Sequence, residues 1–128
     1  MRIKLNSVIV DDQERALRFY TETLGFKKKT DFPAGEFRWL TVVSPDEPDG
    51  AELVLEPNAH AASATYQRAL FESGIPLASF AVDDVRKEHA RLKELGVTFA
   101  SEPTKMGNTT VAVLDDSCGN LIQIYETP

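Results

Sequence analysis

The feature that most constrains this chain is a tandem repeat of one short pattern within 128 residues. Val10-Asp11-Asp12 returns as Val82-Asp83-Asp84, Leu24-Gly25-Phe26 returns as Leu95-Gly96-Val97, and the Asp49-Gly50 turn has its counterpart at Gly119. Each repeat is too short to bury a core of ordinary size alone, so duplication implies two similar modules rather than two independent domains. The spacing of apolar residues gives their content. Ile3 to Val10 reads as a strand, Asp11-Asp12 caps a helix from Gln13 to Leu24, and Phe26 to Phe32, Phe37 to Val43 and Ala51 to Glu56 read as three strands. Pro33-Ala34-Gly35 and the stretch from Ser44 to Gly50 separate those strands. The second half repeats the order: a strand at Ile75 to Val82, a helix at Val85 to Leu95, then strands at Val97 to Ala100, Thr109 to Leu114 and Leu121 to Glu126. Between them Ala62, Tyr66, Ala69 and Leu70 trace a helical stripe. The expectation is an α+β chain of two tandem βαβββ modules, 1-57 and 75-128, joined by a helical linker at 58-74.

Composition narrows the function. A formal charge of −6 opposes attraction to phosphate backbones, and no Lys/Arg stripe with interleaved aromatics appears, so nucleic acid is not an expected partner. No apolar run approaches a membrane span, and no basic segment leads into one. Cys118 is the single cysteine, so no intramolecular disulfide forms and a cytoplasmic, soluble protein is expected. Phosphate-cradling glycine loops and nucleophile-elbow serine motifs are missing from the sequence.

Val10-Asp11-Asp12, followed by Arg18-Phe19-Tyr20 and Leu24-Gly25-Phe26, resembles the opening of a vicinal oxygen chelate domain. Gly119-Asn120-Leu121-Ile122-Gln123-Ile124 is similar to the closing strand of such a domain. The resemblance, to the superfamily of glyoxalases, bleomycin resistance proteins and extradiol dioxygenases, covers nearly the whole chain. It implies curved mixed sheets around a cavity with helices outside, a small-molecule ligand or substrate, and a homodimer. In metal-dependent members a His or Gln on the first strand and a Glu on the last strand of each module bind a divalent ion, which holds vicinal substrate oxygens and stabilises an enediolate or activates oxygen. Carried onto this sequence, the first-strand positions fall on Leu5 and Leu77, and the last-strand positions on Val54 and Gln123. Only Gln123 carries a donor. A stripped divalent ion needs about three or more protein ligands, so no metal cofactor is expected. An ion would need Glu52 or Glu56, which share the face of Val54, or a one-residue slip that exchanges Leu5 for Asn6.

Other residues admit two readings each. Glu52 and Glu56 serve as acid or base if they face a cavity, and only limit edge aggregation if they are solvated. Arg38 and Trp39 point to opposite faces of one strand, so one addresses the pocket as anion anchor or stacking surface, unless Trp39 is core and Arg38 surface. His89 is a packed helix histidine, or a ligand. His60 is at the cavity rim, or in an exposed loop. Cys118 lacks a neighbouring base, and Ser101 to Asn108, with Met106 and Gly107, is either a flap or a plain loop. The leading expectation is a metal-independent protein that binds a small organic molecule among Leu5, Trp39, Val54, Leu77 and Gln123. The alternatives are a divalent-metal-dependent lyase, isomerase or dioxygenase, and a fold used only as an interaction module.

Overall fold

Twelve helices and strands appear in the computed structural model, which describes residues 1–126, in an order that repeats once around a linker helix. The chain divides into two compact units, residues 1–64 and 65 onward, with the division inside the linker helix. Unit 1 contains β1 (Leu5–Val10), α1 (Gln13–Arg18), β2 (Lys27–Ala34), β3 (Phe37–Val43) and β4 (Glu52–Pro57). Its sheet has the order β1-β4-β3-β2, parallel between β1 and β4 and antiparallel elsewhere. The linker helix is α2 (Ala61–Glu72). Unit 2 contains β5 (Ala78–Ala81), α3 (Val85–Glu94), β6 (Phe99–Met106), β7 (Thr109–Asp115) and β8 (Leu121–Glu126), in the order β5-β8-β7-β6. The fold is α+β, two open mixed sheets of four strands each with three helical segments.

The local chemistry of the duplicated Asp pairs explains why each first strand hands over to a helix. Asp12 and Asp84 sit in extended backbone and accept hydrogen bonds from the Arg15 and Lys87 amides, both at 3.0 Å, satisfying donors that a first helical turn leaves free. Each helix then covers one face of its own sheet. In unit 1, Val8, Val10, Leu40, Val42 and Leu55 are fully buried on the face toward α1, together with Ala16 and Tyr20. In unit 2, Ala112, Leu114 and Ile122 lie beneath Val85 and Leu92, all five fully buried. Burying a Leu or Val side chain is worth about 1.5–3 kcal/mol, which is the force that closes each helix onto its sheet.

The first strand of unit 2, read as Ile75 to Val82, is only Ala78–Ala81, and three further stretches depart from the periodicity reading. The helix read as Gln13 to Leu24 is α-helical only to Arg18 and widens to a π-helical segment over Phe19–Thr23. That extra residue per turn puts Tyr20, fully buried, against both Phe19 and Phe26 at ring distances of 5.7 and 6.3 Å. The Ser101 to Met106 stretch is neither flap nor loop. It is strand, paired to β7 through Lys105↔Thr110 and Met106↔Thr109, and two register shifts hide its alternation. Pro33-Ala34 also belongs to a strand, since β2 lies at the sheet edge, where a missing amide proton costs no ladder bond.

The two sheets differ in the ladder that joins their third and fourth strands in chain order. In unit 2 the β7–β8 ladder runs through six pairs, from Thr110↔Glu126 to Asp115↔Leu121. In unit 1 the equivalent β3–β4 ladder has three pairs, Val43↔Glu52, Val42↔Leu53 and Thr41↔Val54, and stops before Trp39 and Glu56.

Candidate functional site

Strand alternation sorts the unit 1 residues by face. Arg38 belongs to the α1 side. Its guanidinium donates to both carboxylate oxygens of Asp31 at 3.0 and 2.7 Å and to Glu14 on α1 at 2.6 Å. The Arg38 hydrogen bonds hold the Asp31 carboxyl below its ordinary range, and Asp31 and Glu14 together raise the guanidinium further above its own. Trp39, one residue on, therefore lies on the opposite face, called the distal face here, with Thr41 and Val43. Pairing carries Phe32 to the same face as the direct cross-strand partner of Trp39. On the neighbouring strands the same side takes Glu52, Val54 and Glu56 from β4 and Leu5, Ser7 and Ile9 from β1, matched row by row.

Accessibility varies along this face. Thr41, Val43 and Val54 are buried, whereas Leu5, Phe32 and Phe37 are 52%, 53% and 41% exposed, Trp39 is half-buried and Glu56 is exposed. Glu52 is half-buried and held in place. The buried Thr41 hydroxyl donates to its Oε1 at 2.7 Å, and the Thr30 hydroxyl lies 2.7 Å from the same Thr41 oxygen, with the Thr30 amide donating to it at 3.2 Å. A carboxylate oriented by such a chain presents its second oxygen as a fixed acceptor. Thr30 and Thr41 were not singled out from sequence; their only signal is placement opposite each other once the Lys28/Thr30 bulge is known.

Gln13 was also read only as the start of a helix. Its side chain reaches into the sheet: Nε2 donates to the carbonyl oxygens of Arg38 at 2.8 Å and Leu55 at 2.9 Å, and Oε1 accepts from the Arg38 amide at 3.1 Å. The amide thus stands between β3 and β4 where their ladder ends. The repeat offset aligns Gln13 with Val85, whose own amide donates to Glu126 at 3.1 Å while its apolar side chain is buried.

In unit 2 the distal face carries Ser79 and Ala81 from β5, Leu121, Gln123 and Tyr125 from β8, and Val111 and Val113 from β7. Gln123 is half-buried between Ser79 and Val113, and its Nε2 donates to the Ser79 hydroxyl at 3.3 Å. Leu77 precedes β5 and is tied to β8 by its amide, which donates to the Leu121 carbonyl at 2.9 Å. The turn before β8 is built on a buried carboxylate: Asp116 accepts from the Cys118 and Asn120 amides at 2.8 and 3.0 Å and from the Asn120 side chain at 2.8 Å. Gln67 of α2 donates to Cys118 O and Asn120 Oδ1, both at 3.1 Å. Cys118 is fully buried in this turn, which removes it as a nucleophile.

The remaining candidates have structural partners. His89 packs edge-on against Phe99 at 4.4 Å, with Nε2 2.8 Å from a Glu102 carboxylate oxygen but not aligned as a hydrogen bond. His60 is exposed and caps α2, its Nδ1 accepting from the Ala62 amide at 3.2 Å.

A divalent ion fits none of these arrangements. Leu5 and Val54 place hydrocarbon on the distal face of unit 1, Leu77 is likewise hydrocarbon, and the Gln123 amide, whose Nε2 donates to Ser79, offers a single neutral oxygen. Asn6 shares the row of Leu53, on the α1 side of the sheet and opposite to Leu5 and Val54, so it does not replace Leu5. Glu52 and Glu56 are four residues apart on one strand, about 13 Å, too far to close on one ion. Among the described residues no group of three or more His, Cys, Asp and Glu side chains converges.

Comparison with known proteins gives the family. The sequence pattern of the Glyoxalase/Bleomycin resistance protein/Dioxygenase superfamily matches residues 2–124. YurT, an uncharacterised protein of Bacillus subtilis strain 168, is 59% identical over 126 residues, which is 98% of this chain and 99% of that protein. Among solved structures, UcmS2 superposes with a TM-score of 0.84 at 35% identity, covering 98% of this chain and 97% of the other. TnmS3, an antibiotic-binding protein from Streptomyces sp. CB03234, superposes with a TM-score of 0.79 at 30% identity, covering 100% and 97%. The chain belongs to the glyoxalase, bleomycin resistance protein and dioxygenase superfamily.

Proposed function

We propose that this protein binds a small organic molecule on the distal faces of its sheets and does so without a metal ion. The observation that carries the reading is the replacement of chelating side chains by Leu5, Val54 and Leu77 on a framework that keeps an accessible aromatic and aliphatic surface at Leu5, Phe32, Phe37 and Trp39. Apolar surface with a few placed polar groups is what small-molecule sites are made of. The likeness to an antibiotic-binding protein at 30% identity points the same way. Glu52 and Glu56 supply the polar groups of unit 1, as hydrogen-bond acceptors or as a base, and Gln123 supplies that of unit 2. A homodimer working in the cytoplasm belongs to the same reading.

Trp39 is the only tryptophan, so its fluorescence reports the site without ambiguity. A panel of planar aromatic and dicarbonyl compounds, screened by thermal shift and then by Trp39 emission, is expected to yield compounds that raise the melting temperature and change the emission saturably. Trp39→Ala should weaken those compounds by about tenfold, the scale of a large aromatic contact. A panel in which no compound moves either signal contradicts the proposal.

A further inference from the structure

We propose that the parted end of β3 and β4 is the seat of the ligand, and that Gln13 is the positioning residue that holds it open for a flat aromatic molecule bearing an N–H or O–H donor. This inference rests on the binding role proposed above and deepens it. The duplicated units supply an internal comparison. Where unit 2 has Val85, its β7–β8 ladder runs to the strand ends; where unit 1 has Gln13, the β3–β4 ladder stops after Thr41↔Val54. The pairs missing from unit 1 are the counterparts of Ala112↔Ile124, Val111↔Tyr125 and Thr110↔Glu126, that is Leu40 with Leu55, Trp39 with Glu56, and Arg38 with Pro57.

The Gln13 amide supplies the cause. A direct ladder bond joins two strands through one N–H···O contact, whereas here Nε2 bridges two carbonyl oxygens by bonds of 2.8 and 2.9 Å in series. Two such bonds set the strands wider by on the order of one hydrogen-bond length, roughly 3 Å. The same amide accepts from Arg38 N, so three backbone groups are satisfied as the strands part, and opening the sheet does not leave them orphaned.

What flanks the opening on the distal face decides the ligand. On one side stands Trp39, with Phe32 beside it across β2; on the other stands the exposed Glu56 carboxylate, with Ile9 beside it across β1. An aromatic wall facing an acceptor-only group suits a planar ring that presents a donor to the carboxylate. Unit 2 has Val111 and Tyr125 at the equivalent places, and the two are paired directly, leaving no opening.

The test uses 2-naphthol and its methyl ether, 2-methoxynaphthalene, which share a ring system and differ in the donor. Titrated into the ¹⁵N-labelled full chain, 2-naphthol should shift the Trp39 indole signal and bind about tenfold more tightly than the ether, the scale of one hydrogen bond to a charged group. Glu56→Gln, which keeps an acceptor but loses the charge, should reduce that preference to about threefold or less. Gln13→Val, which installs the side chain found in the other unit, should weaken both compounds by about tenfold and slow amide hydrogen exchange at Leu40 and Leu55 as the ladder closes. Its melting temperature serves as the folding control, and Glu56→Gln tests the seat independently should Gln13→Val fold poorly. Shifts confined to other distal-face residues, or a Glu56→Gln variant that keeps the full preference, would overturn the seat while the broader binding role stood. Unchanged exchange and affinity in a folded Gln13→Val variant would overturn the positioning role. If the wider aromatic panel binds nowhere, the binding role and this inference fall together.

Discussion

Single residues decide both how the strands are set and what the distal face offers. Gly119 is the clearest case on the structural side. Its φ of +99° lies where side chains are strained, and a Cβ built there would sit 2.7 Å from Gln67 Nε2, the group that ties α2 to the turn. Gly119→Ala should therefore lower the unfolding free energy by roughly 1–3 kcal/mol, read from urea titrations. An effect within 0.5 kcal/mol, the ordinary scatter of surface changes, would contradict this role. On the functional side, Leu5, Val54, Leu77 and Gln123 were placed through the family resemblance, by their distances from Asp12, Gly50, Asp84 and Gly119, and strand pairing puts Leu5, Val54 and Gln123 on the distal faces. Gln13 was not singled out. The signal was present, a glutamine aligned with Val85, but its meaning depends on a reach across two backbones that no local pattern encodes.

Among elements, β3 was read with its observed bounds, Phe37–Val43, since it is a central strand with a clean run of buried side chains. Strands at the sheet edges were read less well. β6 extends six residues beyond its apparent end because two bulges break the alternation that marks a strand, and β5 shrinks to four residues. The π-helical segment after α1 was hidden for a similar reason, as one residue added to a turn leaves the apolar stripe nearly unchanged. The ion-pair cluster of Asp31, Arg38 and Glu14 joins β2, β3 and α1, and it gives the unit 1 elements a pH dependence. Asp31 has its folded pKa lowered, first by the Arg38 hydrogen bonds. Its contribution is therefore complete above the unfolded value of about 3.9 and is lost as pH falls through the lowered folded value. Asp31→Asn should cost about 1 kcal/mol or less at pH 7, since the pair is largely at the surface, and the gap between variant and parent should close in unfolding curves taken below about pH 4. A gap that widens with acid would contradict the sign.

At the scale of the whole molecule, a duplicated βαβββ chain keeps the framework of its superfamily while three of the four positions that the resemblance gives to metal ligands, Leu5, Val54 and Leu77, carry hydrocarbon. Fold and function separate here: the framework is shared, and the chemistry depends on a few side chains displayed on it. Among the described residues no helix is long and apolar enough to cross a membrane. Whether binding needs a metal is decided by measuring affinity for an aromatic ligand from the panel through Trp39 emission, once with chelator-treated protein and once with added Ni, Zn, Mn or Fe. The same dissociation constant is expected in both, with a metal content far below one per chain in protein purified without chelator. Binding that appears only with near-stoichiometric metal, and that Gln123→Ala abolishes together with the metal, would contradict it.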